Sequence, residues 1–201
     1  MTNMWDDRFS ASEFIFGKSP SQFVEKFANH LKPNSKIYLP ADGEGRNSCF
    51  LASLGHETFA SDYSVVGQEK AKKLAAELGV NVHFSIADIE NDIWPENEYD
   101  AIFAVFIQFS PPEARAKVFE GIKKAAKKGG LIFLHGYTPK QLEYKTGGPS
   151  AIENLYTKEV LQNAFDGFEI KLLEDYETEL DEGAGHKGMS ALIDMIAQKP
   201  I

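Results

Sequence analysis

The sequence predicts an α/β fold, doubly wound in the Rossmann-like manner around a mostly parallel sheet. Three observations lead there. Apolar strand patterns and helical patterns alternate from Lys36 onward, as parallel sheets with crossover helices require. The first strand runs directly into a glycine-containing turn that opens a helix. No helix fits between the last two strand patterns, so they pair as an antiparallel hairpin.

The elements follow in order. Ser19-Pro20-Ser21-Gln22 reads as a capping box with proline at the first helical position. Phe23, Val24, Phe27, Ala28 and Leu31 then recur at helical spacing. Lys36 to Pro40 form the first strand, and a helix from Gly45 to Leu54 stops at Gly55. A second strand, Glu57 to Ser61, ends at Asp62. The helix from Ser64 to Leu78 stops at Gly79. The third strand, Asn81 to Ile86, leads to Asp88, and the fourth runs from Tyr99 to about Phe106. Ser110-Pro111-Pro112-Glu113 reads as a second capping box, opening a helix that Gly129-Gly130 ends. Leu131 to His135 make the fifth strand. Tyr137 to Tyr156 is irregular, with Gly147-Gly148-Pro149 suggesting an exposed loop or lid. A short helix around Lys158 to Phe165 follows, then alternation at Phe168, Ile170 and Leu172. An apolar run from Met189 to Ala197 closes the pattern.

A chain of 201 residues suffices for one sizeable core. The expected organisation is one domain over 1–201, with a helical cap (1–31), a ligand-binding core (36–135) and a substrate-side loop and hairpin (136–201). The apolar fraction of 43% and charged fraction of 25% are those of a globular protein. No apolar run approaches the roughly 20 residues that span a bilayer. The residues from Met1 to Asp7 lack the basic start and apolar run of a secretory signal. Cys49 is the only cysteine, which points to a reducing cytoplasm. A net charge of −9 argues against nucleic acid and for a small-molecule partner. The densest basic cluster, Lys123-Lys124 with Lys127-Lys128, falls at a helix end, where cations complement the dipole. Nothing in the pattern bears on oligomeric state.

In a doubly wound sheet, ligands sit beyond the carboxyl ends of the strands, where the strand order reverses. The turn after the first strand, Ala41-Asp42-Gly43-Glu44-Gly45-Arg46-Asn47, lies there. Gly43 and Gly45 have no Cβ to block a ligand and can take positive φ. The helix behind presents free N–H groups to a carboxylate or a phosphate. Asp62, 19 residues after Gly43, can accept hydrogen bonds from ribose hydroxyls; it can also cap the next helix. Asp88 can take an adenine amino group or be a solvated loop acid beside Glu90 and Asp92. A dinucleotide fingerprint aligned on Ala41 and Gly43 would need glycine at position 46, where Arg46 stands. A nicotinamide cofactor is disfavoured on that ground.

The ordered set of segments carries a family resemblance. Met4-Trp5-Asp6-Asp7-Arg8-Phe9 and Phe16-Gly17-Lys18-Ser19-Pro20-Ser21 come first, followed by the glycine turn and Asp62-Tyr63-Ser64. Ala87-Asp88-Ile89 and Lys128-Gly129-Gly130 complete it. In these the chain resembles the class I S-adenosylmethionine-dependent methyltransferases, most of all the small bacterial enzymes akin to the tellurite-resistance methyltransferase. The resemblance implies seven strands with the last antiparallel, S-adenosylmethionine as cofactor and S-adenosylhomocysteine as product. It implies that Ala41 to Gly45 border the methionine part, followed by Arg46 and Asn47. Asp62 would hold the ribose, with Tyr63 beside it, and Asp88 and Ile89 would read the adenine. Val105 and Phe106 would lie beside the sulfonium, and Phe16 would pack over the cofactor. Two positions depart from the family pattern. Leu39 stands where an acid is usual, and Ala41 replaces the first glycine. Asp42 and Glu44 are the candidate replacements for that acid.

On the acceptor side, His186 is a candidate base or an ordinary hairpin histidine, with Tyr137 and Tyr144 as further candidates. Trp5, Phe9, Phe14 and Phe16 are candidates to roof the cofactor. A soft acceptor such as a thiolate or a metalloid needs no base, so no catalytic dyad is required. The five histidines are scattered, and no metal site is expected; His135 reads as a satisfied core residue. The alternative to methyl transfer is a regulatory or vestigial cofactor-binding protein.

Overall fold

A computed structural model describes residues 4–201; the first three residues of the N-terminal cap lie outside the described part. The chain opens with helices α1 (Met4–Phe9) and α2 (Gln22–Phe27), the latter continued by a 3₁₀ turn. Then come β1 (Lys36–Pro40), α3 (Arg46–Ser53), β2 (Glu57–Asp62), α4 (Val65–Leu78), β3 (Val82–Ile86) and β4 (Tyr99–Val105). The second half holds α5 (Pro112–Ala125), β5 (Ala126–Tyr137), α6 (Gln141–Tyr144), α7 (Lys158–Ala164), β6 (Glu169–Asp181) and β7 (Lys187–Gln198).

The seven strands form one sheet in the order β3-β2-β1-β4-β5-β7-β6. The first five run parallel, and β7 inserts antiparallel between β5 and β6. The strand order reverses between β1 and β4, which opens a crevice at their carboxyl ends.

Strand periodicity divides the core. Ile102, Ala104, Ile132 and Leu134 face one side, against Val118 and Ile122 of α5 and Phe165. Ala101, Phe103 and Phe133 face the other, against Phe23, Val24 and Phe27 of α2 and Leu51 of α3. The rings of Phe103 and Phe133 stack at 4.2 Å across β4 and β5. Each such side chain, fully buried, contributes about 1.5–3 kcal/mol. His135 is satisfied in the core: its Nδ1 lies 2.6 Å from an Asp194 oxygen on β7.

Local details differ from the sequence expectation. Ser21, not Ser19, caps α2, accepting from the Val24 N–H at 3.2 Å. Pro111 rather than Ser110 is the N-cap of α5, and the Ser110 hydroxyl makes no hydrogen bond there. Pro111 is extended (φ −64°, ψ 164°), so the helix begins one residue later, at Pro112. α5 stops at Ala125, before Gly129-Gly130, because Ala126 is already extended and pairs with Tyr99. Only Lys123 and Lys124 of the basic cluster lie in its last turn, and Lys127 on β5 pairs with Asp100 at 2.7 Å. β6 reaches Asp181, well beyond the alternation at 168–172, because β7 supplies a partner along its whole length.

Candidate functional site

A cavity of about 630 Å³ lies over the carboxyl ends of β1, β2, β3 and β4, at the switch in strand order. That volume falls within the ~300–1,000 Å³ of small-molecule sites. The glycine turn forms its floor. Ala41 has φ +52° and Gly43 φ +61°. Ala41 therefore keeps the left-handed backbone that glycine would favour, although its Cβ disfavours it.

Asp62 fastens this turn. One of its oxygens accepts the N–H of Gly43 at 2.8 Å and the other accepts the N–H of Ser64 at 2.8 Å. Burial raises its carboxyl above the ordinary value, against the lowering effect of those two donors. The acid thus acts as a local cap and still lines the cavity, with lone pairs left on each oxygen. Asp88 likewise has a double position. It accepts the Glu90 N–H at 3.1 Å and the Asn91 amide at 2.8 Å, closing its own loop, and it lines the cavity beside the buried Ile89.

Asp42 differs from both. Its two carboxylate oxygens are shielded from solvent and have no hydrogen-bond partner among the described residues. The nearby Ser48 hydroxyl donates to the Gly45 carbonyl at 3.2 Å. Burial, with Asp62 adding repulsion, lifts Asp42 to about 7, against smaller opposing effects of Ser48 and Arg46. A buried orphan carboxylate that faces a cavity calls for a donor or a cation in that cavity.

Not every residue of the turn faces the cavity. Glu44 is buried, pairs with Lys70 at 2.5 Å and accepts the Ile15 N–H at 2.8 Å. Gly45 is needed because a Cβ there would sit 2.6 Å from the Ala71 Cβ of α4. Neither Glu44 nor Gly45 lines the cavity, which corrects their expected place at its wall. Arg46 and Asn47 reach its edge but mainly hold the N-terminal arm. Arg46 donates to the Phe16 carbonyl at 3.0 Å, and Asn47 accepts the Ser21 N–H at 2.9 Å. Lys70 adds bonds to the carbonyls of Ala11 at 2.9 Å and Glu13 at 2.7 Å. Phe9 wedges against Gly43 and Gly67, where a Cβ would meet its ring. So the polar residues of the glycine motif clasp residues 4–21 across the site. Trp5, Phe9 and Phe16 of that arm line the cavity, whereas Phe14 packs near Cys49 and Leu74 of α3 and α4.

The opposite wall comes from β4, β5 and the terminal hairpin. Val105 and Phe106 line it, and Phe106 has φ +56°, an uncommon conformation for a bulky residue. His186 is buried between the rings of Phe106 (4.1 Å) and Phe16 (4.5 Å). Burial, helped by the positive charges of Arg46 and Arg8, pushes it down to about 3. It is neutral at physiological pH, and its Nδ1 has no partner. Tyr137 is also buried with an unpartnered hydroxyl, and burial raises its pKa. Tyr63 lines the cavity from the end of β2. Tyr144 does not line it: it hydrogen-bonds to Glu177 on β6, on the outer side of the loop.

Sequence reasoning missed several wall residues. Arg8, Gln108, Phe109 and Asn154 all line the cavity. Gln108 clamps Tyr137, donating to its carbonyl at 2.8 Å and accepting its N–H at 2.5 Å. Its position just past the fourth strand was the available signal. No local pattern marks Arg8 or Asn154. Among the described residues, no group of three or more His, Cys, Asp or Glu is placed to hold a metal, and no helix is long and apolar enough to cross a membrane.

Residues 41–130 match a family described as methyltransferase domain. No curated protein matches the chain in sequence. Solved structures do match in fold. One, from work on converting a disulfide bond into a thioacetal group during echinomycin biosynthesis, is 13% identical with a TM-score of 0.81. That match covers 100% of this chain and 92% of the other. TehB from Haemophilus influenzae is 20% identical with a TM-score of 0.70, covering 88% of this chain and 61% of its own. A TehB-like S-adenosylmethionine-dependent methyltransferase from Corynebacterium glutamicum is 17% identical with a TM-score of 0.63, covering 97% and 94%. Residues 41–130 thus match a methyltransferase domain, and the chain as a whole has the fold of S-adenosylmethionine-dependent methyltransferases.

Proposed function

We propose that this protein methylates a small molecule at a soft, ionisable atom, a thiolate or a metalloid centre, in the cytoplasm. The observation that carries this reading is the state of His186. Held near 3 among aromatic rings, it is too weak a base to take a proton at neutral pH. Tyr137, raised by burial, stays protonated. An acceptor at this wall must therefore arrive already ionised, and soft acceptors with low pKa values meet that condition. The similarity in fold to TehB and to the protein studied for thioacetal formation points the same way. The net charge of −9 and a cavity of about 630 Å³ favour a small molecule over a nucleic acid.

In this reading Asp42 replaces the acid missing at Leu39 and pairs with the cationic amino group of the cofactor. Glu44 is already committed to Lys70 and the Ile15 N–H. Asp62 takes the ribose hydroxyls and Asp88 the adenine amino group, while Val105 and Phe106 border the reacting carbon. When bound, S-adenosylmethionine would supply a methyl carbon activated by its sulfonium. The protein's own part is alignment and exclusion of water. The clasped arm brings Trp5, Phe9 and Phe16 over the cavity, and Gln108 holds the Tyr137 wall opposite. Such positioning supplies roughly 7–11 kcal/mol of barrier reduction.

Cofactor binding without transfer is the second reading, motivated by Leu39 and Ala41. The left-handed Ala41 and the orphan carboxylate of Asp42 keep the cofactor end competent in both readings, so turnover is what separates them. Calorimetric titration with S-adenosylhomocysteine, followed by mass-spectrometric screening of thiols and metalloid anions, tests the proposal. Micromolar binding and methylated thiol or metalloid products are expected. Tight binding with no turnover on any soft acceptor would overturn it.

A further inference from the structure

The cavity is electrically divided. Its four carboxylates, Asp42, Asp62, Asp88 and Glu90, all lie at the ends of β1, β2 and β3, on the cofactor side. No acid lines the opposite end among the described residues. Two arginines line the cavity. Arg46 is neutralised by Glu182 at 2.7 Å. Arg8 has no carboxylate partner among the described residues. Its guanidinium lies 5.1 Å from the Trp5 ring centre and 5.6 Å from that of Phe16. Its charge reaches the interior, acting on both Tyr137 and His186. The Tyr137 hydroxyl, buried and unpartnered, is a second donor at the same end. Trp5, Phe106 and Phe109 supply aromatic faces around these groups.

We propose that the acceptor is a planar aromatic compound bearing an anionic group such as a carboxylate, held by Arg8 and the Tyr137 hydroxyl with its ring among Trp5, Phe106 and Phe109. The proposal rests on the reading of the acceptor as a small, soft nucleophile. A guanidinium supported on aromatic rings matches the planar fork of a carboxylate, which an ammonium does not. Its field also favours the ionised form of a nearby thiol, which suits a wall that offers no base. A neutral acceptor would leave both donors unsatisfied beside apolar rings. A cationic one would meet Arg8 directly.

Binding and turnover separate the two layers of the argument. Benzoate and its neutral isostere benzamide are titrated into the full chain saturated with S-adenosylhomocysteine. Benzoate is expected to bind at least about tenfold more tightly. Arg8→Gln should abolish that preference while S-adenosylhomocysteine affinity stays within about twofold, Arg8→Lys should restore part of it, and Tyr137→Phe should weaken it. Equal binding of the two probes, or a preference that survives Arg8→Gln, overturns the anionic subsite. In parallel, 4-mercaptobenzoate should be methylated with a lower KM than 4-mercaptobenzamide, the difference vanishing in Arg8→Gln. If neither thiol is methylated while the benzoate preference holds and depends on Arg8, the anionic subsite stands and the soft-acceptor reading falls.

Discussion

The guanidinium of Arg46 pairs with the carboxylate of Glu182 at 2.7 Å, both side chains buried, although 136 residues separate them. The pair joins the turn after the first strand to the terminal hairpin. Glu182 also accepts the Gln22 N–H at 2.8 Å, and Arg46 donates to the Phe16 carbonyl. The N-terminal arm, the glycine turn and the hairpin that carries His186 thus meet at one ion pair. Removing one partner leaves the other as an uncompensated buried charge, at about 3–5 kcal/mol. Glu182→Ala should therefore lower the melting temperature by about 10 °C. Thermal denaturation followed by circular dichroism checks this, and a drop below about 2 °C would show that the pair carries little.

Asp42 sets opposite demands on the empty and the loaded protein. Its folded pKa is raised to about 7, so the stability linked to its protonated form is full below the ordinary carboxylate value. That stability is lost as pH rises to and through 7. Asp42→Asn should then stabilise the empty protein at pH 8, by roughly 3 °C or more in melting temperature, with little effect at pH 4. The same substitution should weaken S-adenosylhomocysteine binding about tenfold or more at pH 7.5. In the unsubstituted protein that affinity should rise between pH 5.5 and 7.5, and in Asp42→Asn it should stay flat. Calorimetry across that range decides between them.

Ala41 carries a strained backbone where glycine is the easier residue. At φ +52° its Cβ costs about 1–2 kcal/mol, offset in part by the greater chain entropy that glycine loses. Ala41→Gly should raise stability by about 0.5–1 kcal/mol and leave cofactor affinity intact. Chemical denaturation reads the first effect and titration the second; a destabilised variant would contradict the strain.

Asp62 acts through two bonds at once, to the N–H groups of Gly43 and Ser64. Asp62→Ala should weaken S-adenosylhomocysteine binding by at least about tenfold, through lost ribose contacts and a loosened turn. An unchanged dissociation constant would remove Asp62 from the cofactor site.

The pH profile of turnover follows from His186. Held near 3, it has no titration to contribute above pH 5. The rate with a thiol acceptor should track that thiol's own ionisation, and a change of thiol pKa should move the profile with it. An inflection near 6.5 common to all acceptors would show that His186 titrates in the working enzyme.

Strand and helix positions were legible because their signals are local. β1 occupies the expected Lys36–Pro40, and Ser64 and Gly79 bound α4 as cap and stop. Asp62 and Asp88 reach the cavity because the end of a parallel strand is a fixed place in this fold. The roles of Glu44 and Arg46 were not legible. Both sit in a ligand-type motif, yet each is satisfied by a partner far along the chain, Lys70 for one and Glu182 for the other. Tyr144 was placed by its loop and turned outward by Glu177.

The sequence by itself determined the alternating fold, the glycine turn and the strand-end acids, because periodicity, turn chemistry and spacing act between near neighbours. Only the tertiary structure decided which polar groups are left over. Asp42 is left without a hydrogen-bond partner among the described residues, while Glu44 is engaged by Lys70. His186 is neutral because Phe16 and Phe106, far apart along the chain, enclose it. Burial and pairing depend on what distant segments bring to one place, and these fix the charge, the pKa and so the chemistry of the site.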